Sequence, residues 1–155
     1  MARPRLRVYP DTSVFGAPFD EEFAERVADF WHAAKRGRYD LVVSDLTLDE
    51  LGRAPAPVRA LLDDVPQACI LPIARSDESR ELAAAYLRHG ILPERMESDA
   101  QHVALATIAG ADVLVSLNFK HIVNLRRIRV FHAVNLELGY RPIEIRSPME
   151  VGEDD

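Results

Sequence analysis

Residues 98–118 have the sequence SDAQHVALATIAGADVLVSLN, and this stretch decides the fold. It predicts a buried helix with Ser98 as its N-cap and Gly110 as its end, followed by a strand that finishes in polar side chains. Asp99 suits the positive end of the helix dipole, and His102, three residues later, projects from the same face. Such a face can carry a metal or catalytic site, although an acid at a helix start is often only a cap.

The composition indicates an ordinary soluble globular protein rather than a disordered chain. The chain has 155 residues, of which 48% are hydrophobic and 28% charged, enough for one domain with a real core. A formal net charge of -6 argues against a generally basic nucleic-acid coat, but not against a local basic groove or an enzyme that reaches phosphates through a metal. The single cysteine, Cys69, lies in an apolar run and is predicted to be buried in the core.

Neither a signal peptide nor a membrane span is expected, so we predict a cytoplasmic protein. The charged N-terminus is not followed by an apolar segment. The longest apolar region, residues 103–117, is interrupted by Gly110 and Asp112 and is better divided into a helix and a strand.

Predicted strands and helices alternate along the chain. Right-handed crossovers between them favour a single α/β domain over residues 1–155, with a mostly parallel sheet, helices on both faces and a core at about 6–146. The acidic residues 150–155 are expected to form a frayed tail. The other predicted strands are 6–9, 41–44, 70–73 and 142–145, and the other predicted helices are 20–37, one beginning at 47, 58–64, 76–90 and 123–138.

Four polar side chains are expected near one edge of this sheet. Asp11 and Asn118 follow predicted strands, and Glu50 and Asp99 lie on helices near the carboxyl ends of the strands, where such sheets bind ligands. Carboxylates that converge repel one another unless a cation lies among them. Hard oxygen ligands favour Mg²⁺ or Mn²⁺ over zinc, and such an ion can activate water to attack a phosphodiester. Because the chain contains 25 acids, the spacing alone is not specific.

Four segments resemble, in order and spacing, the motifs of the PIN-domain family, the fold of the VapC-type toxin ribonucleases. They are YPDTS at 9–13, LTLDEL at 46–51, DAQHVA at 99–104 and VLVSLNF at 113–119. The resemblance extends over about residues 7–146. It implies a PIN-like three-layer α/β/α domain and a metal-dependent endoribonuclease that cuts single-stranded RNA and leaves a 5′-phosphate. It also implies a toxin restrained by an antitoxin protein, and a homodimer.

The resemblance assigns roles to individual residues. Asp11 and Asp99 would be metal ligands, and Glu50 would act on the metal or its waters, so these three acids would be catalytic. Asn118 stands where many family members have an acid; it offers one carbonyl oxygen but no charge, so a second metal should bind weakly and activity is in doubt. A subgroup of PIN-like proteins usually has asparagine at this position. Supporting or phosphate-contacting roles fall to Thr12, Ser13, His102 and Ser116, with His102 as an alternative partner of Asp99.

Several of these residues also have simpler explanations. Asp11 at a strand end fits an Asx turn, and Asp49 competes with Glu50 for the position that faces the sheet edge. The basic segment 120–129 could steer an RNA backbone through Lys120, Arg126 and Arg127, or it could be a solvated helix face.

Three functions compete on this sequence. The leading hypothesis is a Mg²⁺- or Mn²⁺-dependent endoribonuclease, the toxin of a toxin–antitoxin pair. The alternative is a PIN fold with weakened chemistry that binds RNA or protein. A phosphotransfer or receiver domain with Asp11 as nucleophile is disfavoured, because Ser13 stands where the haloacid-dehalogenase pattern needs a second acid and a convincing receiver phosphoacceptor is missing.

Overall fold

The centre of the molecule is one parallel sheet. The computed structural model describes residues 4–90 and 93–152. Its strands are β1 Leu6–Pro10, β2 Tyr39–Ser44, β3 Ile70–Ile73, β4 Val113–Val115 and β5 Glu144–Arg146. They lie in the order β3-β2-β1-β4-β5, and every neighbouring pair is parallel. The expected mostly parallel sheet is therefore confirmed.

Helices cover the connections between the strands. They are α1 Thr12–Gly16, α2 Ala24–Lys35, α3 Asp45–Leu51, α4 Ala56–Arg59, α5 Asp77–Arg88, α6 Glu97–Ile108 and α7 Leu125–Glu137. Short 3-10 turns lie at Ala17–Phe19, Ala60–Asp64, Gln67–Cys69, Glu94–Met96 and Pro148–Val151. Among the residues described, none of the helices is long and apolar enough to cross a membrane.

The two faces of the sheet carry separate apolar clusters. Successive residues of a strand point to opposite faces, so Val8 and Tyr9 of β1 enter different clusters. Val8 packs with residues of α1, α2 and α4, whereas Tyr9 and Leu114 pack with residues of α5, α6 and α7. This arrangement gives the three α/β/α layers that the sequence predicts.

Helix α6 begins earlier than the sequence predicts. Its N-cap is Met96, so the prediction of Ser98 as the N-cap is wrong. Ser98 lies inside the first turn, where its hydroxyl lies 3.4 Å from Oε1 of Glu50. Asp99 also lies in this turn, at the positive end of the helix dipole. Gly110 follows the end of the helix with a φ of 68°, a conformation that glycine adopts without strain, as predicted.

Several local features follow from residue type, and the predicted burial of Cys69 is confirmed. Pro72 lies in β3, an outermost strand of the sheet, where a missing N–H is tolerated. Ser76 caps α5 through a capping box. Phe30, Trp31 and Cys69 are buried in the core.

Other element boundaries differ from the prediction. Helix α1 was not predicted; it is short, and Asp11 caps it directly after β1. The helix expected at 20–37 spans Ala24–Lys35, since Asp20 closes the preceding 3-10 turn. The helix expected at 123–138 begins after Asn124, whose side chain accepts from the first free N–H groups of α7.

The C-terminal part is ordered further than expected. Strand β5 is Glu144–Arg146 rather than 142–145. The next 3-10 turn is capped by Ser147, whose N–H donates to Glu150 at 2.9 Å, and the carbonyl of Val151 accepts from the hydroxyl of Tyr39. The predicted frayed tail is therefore wrong for residues 150–151, while residues 153–155 lie outside the described part of the chain.

Candidate active site

Polar side chains gather where β1, β2 and β4 end. Asp11 follows β1 directly, and its backbone N–H donates to the carbonyl of Val115 in β4 at 3.0 Å. Ser44 ends β2 and caps α3, the helix that carries Glu50. Because β1 lies between β2 and β4, the parallel topology brings these carboxyl ends to one edge of the sheet.

Asp11 is a buried carboxylate held by hydroxyl groups. Its side chain is 3% exposed. Oδ1 accepts from the N–H of Ser13 at 3.1 Å and from its hydroxyl at 2.5 Å, and Oδ2 accepts from the hydroxyl of Ser116 at 2.5 Å. Burial raises the pKa of Asp11, against the hydrogen bonds from Ser116 and Ser13, which lower it. The expected turn-capping role is present, and it places the carboxylate at the sheet edge.

Glu50 faces the same edge, whereas its neighbour Asp49 does not. Oε1 of Glu50 lies 2.6 Å from Nε2 of His102 and accepts from the hydroxyl of Thr12 at 3.1 Å. Burial would raise the pKa of Glu50, but the hydrogen bond from His102 and those from the hydroxyls of Thr12 and Ser98 lower it below its ordinary value. Asp49 instead forms an ion pair with Arg75.

Asp99 and Asn118 are hydrogen-bonded to each other. The side-chain amide of Asn118 donates to Oδ2 of Asp99 at 3.0 Å, and its carbonyl oxygen accepts from the N–H of His121 at 3.0 Å. Burial and the negative charges of Asp11 and Glu50 raise the pKa of Asp99. The charges of Asp11 and Glu50 therefore act on Asp99. Asn118 is oriented as a donor to Asp99, which differs from the expected oxygen ligand.

The small polar residues orient the acids. The hydroxyl of Ser13 also accepts from the N–H of Leu117 at 3.0 Å, and that of Ser116 accepts from the N–H of Asn118 at 3.0 Å. Both serines therefore connect the turn after β4 to Asp11. Thr12 donates to Glu50, as described above.

His102 differs from its expected role. Its side chain is 2% exposed, which leaves no surface for a phosphate contact. Its partners are Glu50 and Tyr9 rather than Asp99. The hydroxyl of Tyr9 also lies 2.8 Å from that of Ser44. The roles of Tyr9 and Ser44 were not predicted. The signal for them in the sequence is a hydroxyl at or next to the last residue of a buried strand.

The basic residues follow Asn118 in the chain. Lys120 is exposed in the turn after Asn118, and Arg126 and Arg127 lie in the first turn of α7. The alternative is a solvated helix face with Ile122, Leu125 and Ile128 turned inward. Ile122 is buried and Ile128 is partly buried against the core, as this alternative expects, but Leu125 is 74% exposed.

The family model described as the PIN domain matches residues 8–125, more than half of the chain. The chain belongs to the PIN domain family. None of the curated proteins matches it.

This PIN domain is similar in fold to two solved structures. The crystal structure of FitAcB from Neisseria gonorrhoeae is 16% identical, covers 91% of this chain and 97% of its own, and gives a TM-score of 0.56. The structure of FitAB bound to IR36 DNA fragment is 16% identical, covers 96% of this chain and 99% of its own, and gives a TM-score of 0.54. Identities this low show a shared fold and nothing more specific.

The carboxylates of this PIN site suit a hard divalent cation, but they do not supply all of its ligands. Asp11 and Asp99 are carboxylates whose raised pKa values reflect burial and, for Asp99, like charge, and a cation would relieve both. Within residues 4–90 and 93–152, however, no three Asp, Glu, His or Cys side chains are placed so that they could hold a metal together. The residues thus fit an ion held by few direct ligands, with water completing its shell.

The raised pKa values predict how the stability of the metal-free PIN domain depends on pH. Folded Asp11 and Asp99 bind protons more tightly than in the unfolded chain, where aspartate has a pKa of about 3.9, so a penalty on folding develops as the pH rises through their raised values. Glu50 has the opposite effect, because its pKa is lowered in the folded state. It stabilises the folded state above about pH 4.3, and this stabilisation is lost as the pH falls through its lowered pKa.

Urea unfolding from about pH 4.5 to about pH 8 should therefore give a higher free energy of unfolding for an Asp11→Asn/Asp99→Asn variant than for the wild type. This difference should increase with pH. A gap that does not change with pH would contradict the assigned shifts.

Proposed function

We propose that this PIN domain is a Mg²⁺- or Mn²⁺-dependent endoribonuclease that cleaves single-stranded RNA, and that it is the toxin of a toxin–antitoxin pair. The observation that carries the proposal is the placement of Asp11, Glu50 and Asp99 at the carboxyl edge of the sheet. Hydrogen bonds through Ser116 and Asn118 connect Asp11 to Asp99, and Thr12, next to Asp11, donates to Glu50. Such a set is costly without a cation and suits a phosphodiester reaction with one.

Each acid has a distinct part in the proposed site. Asp11 and Asp99 would bind the ion directly, and Glu50, held by His102, would bind one of its waters. The ion, when bound, lowers the pKa of a water and neutralises charge on the phosphodiester. Ser13 and Ser116 hold Asp11 in place, and Asn118 holds Asp99.

The proposed partners follow from charge and family. Lys120, Arg126 and Arg127 are cations that follow Asn118 in a chain with a formal net charge of -6, which favours local steering of an RNA backbone over general nucleic-acid binding. An antitoxin protein, a homodimer and a cytoplasmic location belong to the same proposal and rest on the family resemblance.

A second candidate function is a binding module for RNA or protein with weakened chemistry. It is favoured by Asn118, which presents an amide N–H to Asp99 where an acid would add an oxygen ligand. This candidate predicts RNA binding without cleavage.

Incubation of the purified protein with end-labelled single-stranded RNA and Mn²⁺ tests the proposal. We expect products with a 5′-phosphate, none in the presence of a chelator, and a rate lower by roughly 100-fold or more for Asp99→Asn, since metal catalysis supplies several kcal/mol. Asp77→Asn is the matched control, because Asp77 occupies the first turn of α5 and is 99% exposed. Unchanged cleavage by Asp99→Asn, with both variants folded, would overturn the assignment.

A further inference from the structure

A row of hydrogen-bonded side chains runs behind Glu50, inside the core rather than at the sheet edge. It consists of Thr47, Ser44, Tyr9, His102 and Glu50, hereafter the Tyr9–His102 row. The hydroxyl of Ser44 lies 3.1 Å from that of Thr47 and 2.8 Å from that of Tyr9. The hydroxyl of Tyr9 lies 2.7 Å from Nδ1 of His102, whose Nε2 lies 2.6 Å from Oε1 of Glu50.

The row is shielded from water over most of its length. Tyr9 and Ser44 are 0% exposed, Thr47 is 1% exposed, and only the Glu50 side chain is partly exposed, at the carboxyl edge of the sheet. Buried hydroxyl and imidazole hydrogens need acceptors within the protein, because water cannot supply them. The donor and acceptor roles along the row can therefore be counted.

One direction of the row gives every hydrogen an acceptor. Thr47 donates to Ser44, Ser44 donates to Tyr9, and Tyr9 donates to Nδ1 of His102. A neutral His102 that accepts at Nδ1 carries its proton on Nε2 and donates it to Glu50. In the opposite direction Ser44 donates to Thr47, whose own hydroxyl hydrogen then has, among the described residues, only the more distant hydroxyl of Tyr9 as an acceptor.

We propose that Tyr9 is a positioning residue that holds neutral His102 in the tautomer with its proton on Nε2, so that His102 donates to Glu50 and fixes that carboxylate. The phenol is suited to this donor role, because burial raises the pKa of Tyr9 far above the physiological range. His102 is likewise a positioning residue, since it acts through Glu50.

The row has a consequence for the edge of the sheet. The donors to Glu50 from Thr12, Ser98 and His102 all meet at Oε1. Oε2 is thereby left as the oxygen available to a ligand. This consequence rests on the proposed function, whereas the tautomer of His102 does not.

Long-range proton–nitrogen NMR of the uniformly ¹⁵N-labelled full chain tests the tautomer without any assay of activity. At about pH 8 we expect the His102 ring to show a protonated Nε2 and a bare Nδ1. The chain supplies internal references: Nε2 of His132 lies 2.7 Å from the carbonyl of Ile143, and Nδ1 of His89 lies 2.8 Å from that of Ala85, so the two represent opposite tautomers. The signal that disappears in His102→Gln assigns the residue.

Tyr9→Phe removes the proposed donor and keeps the ring. We expect the Nδ1 signal of His102 to shift and the fixed Nε2–H pattern to be lost. Tyr86→Phe is the matched control, since Tyr86 is also 0% exposed and donates to Asn135 elsewhere in the core. A wild-type His102 with its proton on Nδ1, a doubly protonated ring at this pH, or an unchanged ring in Tyr9→Phe would each overturn the proposal.

Cleavage kinetics then test the consequence for Glu50. Tyr9→Phe should lower kcat by roughly 10-fold with KM unchanged, within the 10- to 100-fold loss usual for groups that orient a metal's ligands, and Tyr86→Phe should not. If the wild type cleaves no RNA, the proposed function fails while the NMR result still decides the tautomer. If Tyr9→Phe cleaves like wild type, the positioning role is wrong.

Discussion

Replacing Asp11 by asparagine should abolish RNA cleavage and, at the same time, raise the melting temperature of the metal-free protein. Both effects have one cause, the buried negative charge at the end of β1. That charge would bind the ion that the reaction needs, and without the ion its burial is unfavourable, as the raised pKa of Asp11 indicates. Asparagine keeps the shape, and its carbonyl oxygen can still accept from Ser13, so the cap of α1 should survive. Its amide would donate to the hydroxyl of Ser116 instead of accepting from it.

The expected sizes make this prediction easy to test. Cleavage should fall by roughly 100-fold or more, since a bound metal supplies several kcal/mol to a phosphodiester reaction. Each kcal/mol of relieved charge burial should raise the melting temperature by about 2–4 °C for a chain of this length. Calorimetric melting and end-labelled RNA cleavage measure the two effects on one preparation.

Asp112→Asn provides the comparison for Asp11→Asn. Asp112 stands next to β4 at the opposite edge of the sheet, where it accepts from the N–H of Arg7 at 2.8 Å. Its replacement should leave cleavage unchanged and should not raise the melting temperature. Full activity in a folded Asp11→Asn protein would refute the role of Asp11.

Replacing Asn118 by aspartate should destabilise the metal-free protein and make its stability depend on Mn²⁺. One carboxylate oxygen can still accept from the N–H of His121, but the other replaces the amide that donates to Asp99 at 3.0 Å. Two full charges about 4 Å apart repel by about 4 kcal/mol at an effective dielectric constant of about 20. Protonation of one of them limits the loss to roughly 1–3 kcal/mol at neutral pH.

Added Mn²⁺ should restore the stability of Asn118→Asp, and its cleavage rate should exceed that of the wild type, because the added carboxylate supplies the missing oxygen ligand. Thermal melts with and without Mn²⁺ measure the effect. Asn135→Asp is the matched control. Asn135 is 0% exposed and bonds to Tyr86 and to Thr107, near the end of α6 opposite to Asp99, so the loss of stability in this variant should not respond to Mn²⁺. Equal responses of the two variants to Mn²⁺ would contradict the orientation of Asn118.

The sheet could be predicted because its signals are local. Continuous apolar runs such as 41–44 indicate strands covered on both faces, Pro72 marks an edge, and Ser76 and Gly110 mark helix ends. The alternation of strands and helices then gives the parallel order and the edge at which Asp11 and Glu50 lie.

The side-chain contacts of the candidate site could not be predicted from the sequence. Helix α1 is only five residues long and shows no apolar period; the cap at Asp11 and the burial of Val14 and Phe15 hold it in place. The contact between Tyr9 and His102 joins residues 93 positions apart, and no spacing rule predicts such a pair. The side-chain orientation of Asn118 is set by the turn at His121, which cannot be inferred from residue type.

Calorimetric titration with Mn²⁺ at neutral pH tests most directly whether the acids at this edge form a cation site. The wild type and a control Asp77→Asn/Asp112→Asn protein should bind Mn²⁺ alike, and Asp11→Asn/Asp99→Asn, which loses the same number of charges, should not bind it. No binding by the wild type, or equal binding by the two double variants, would contradict the account.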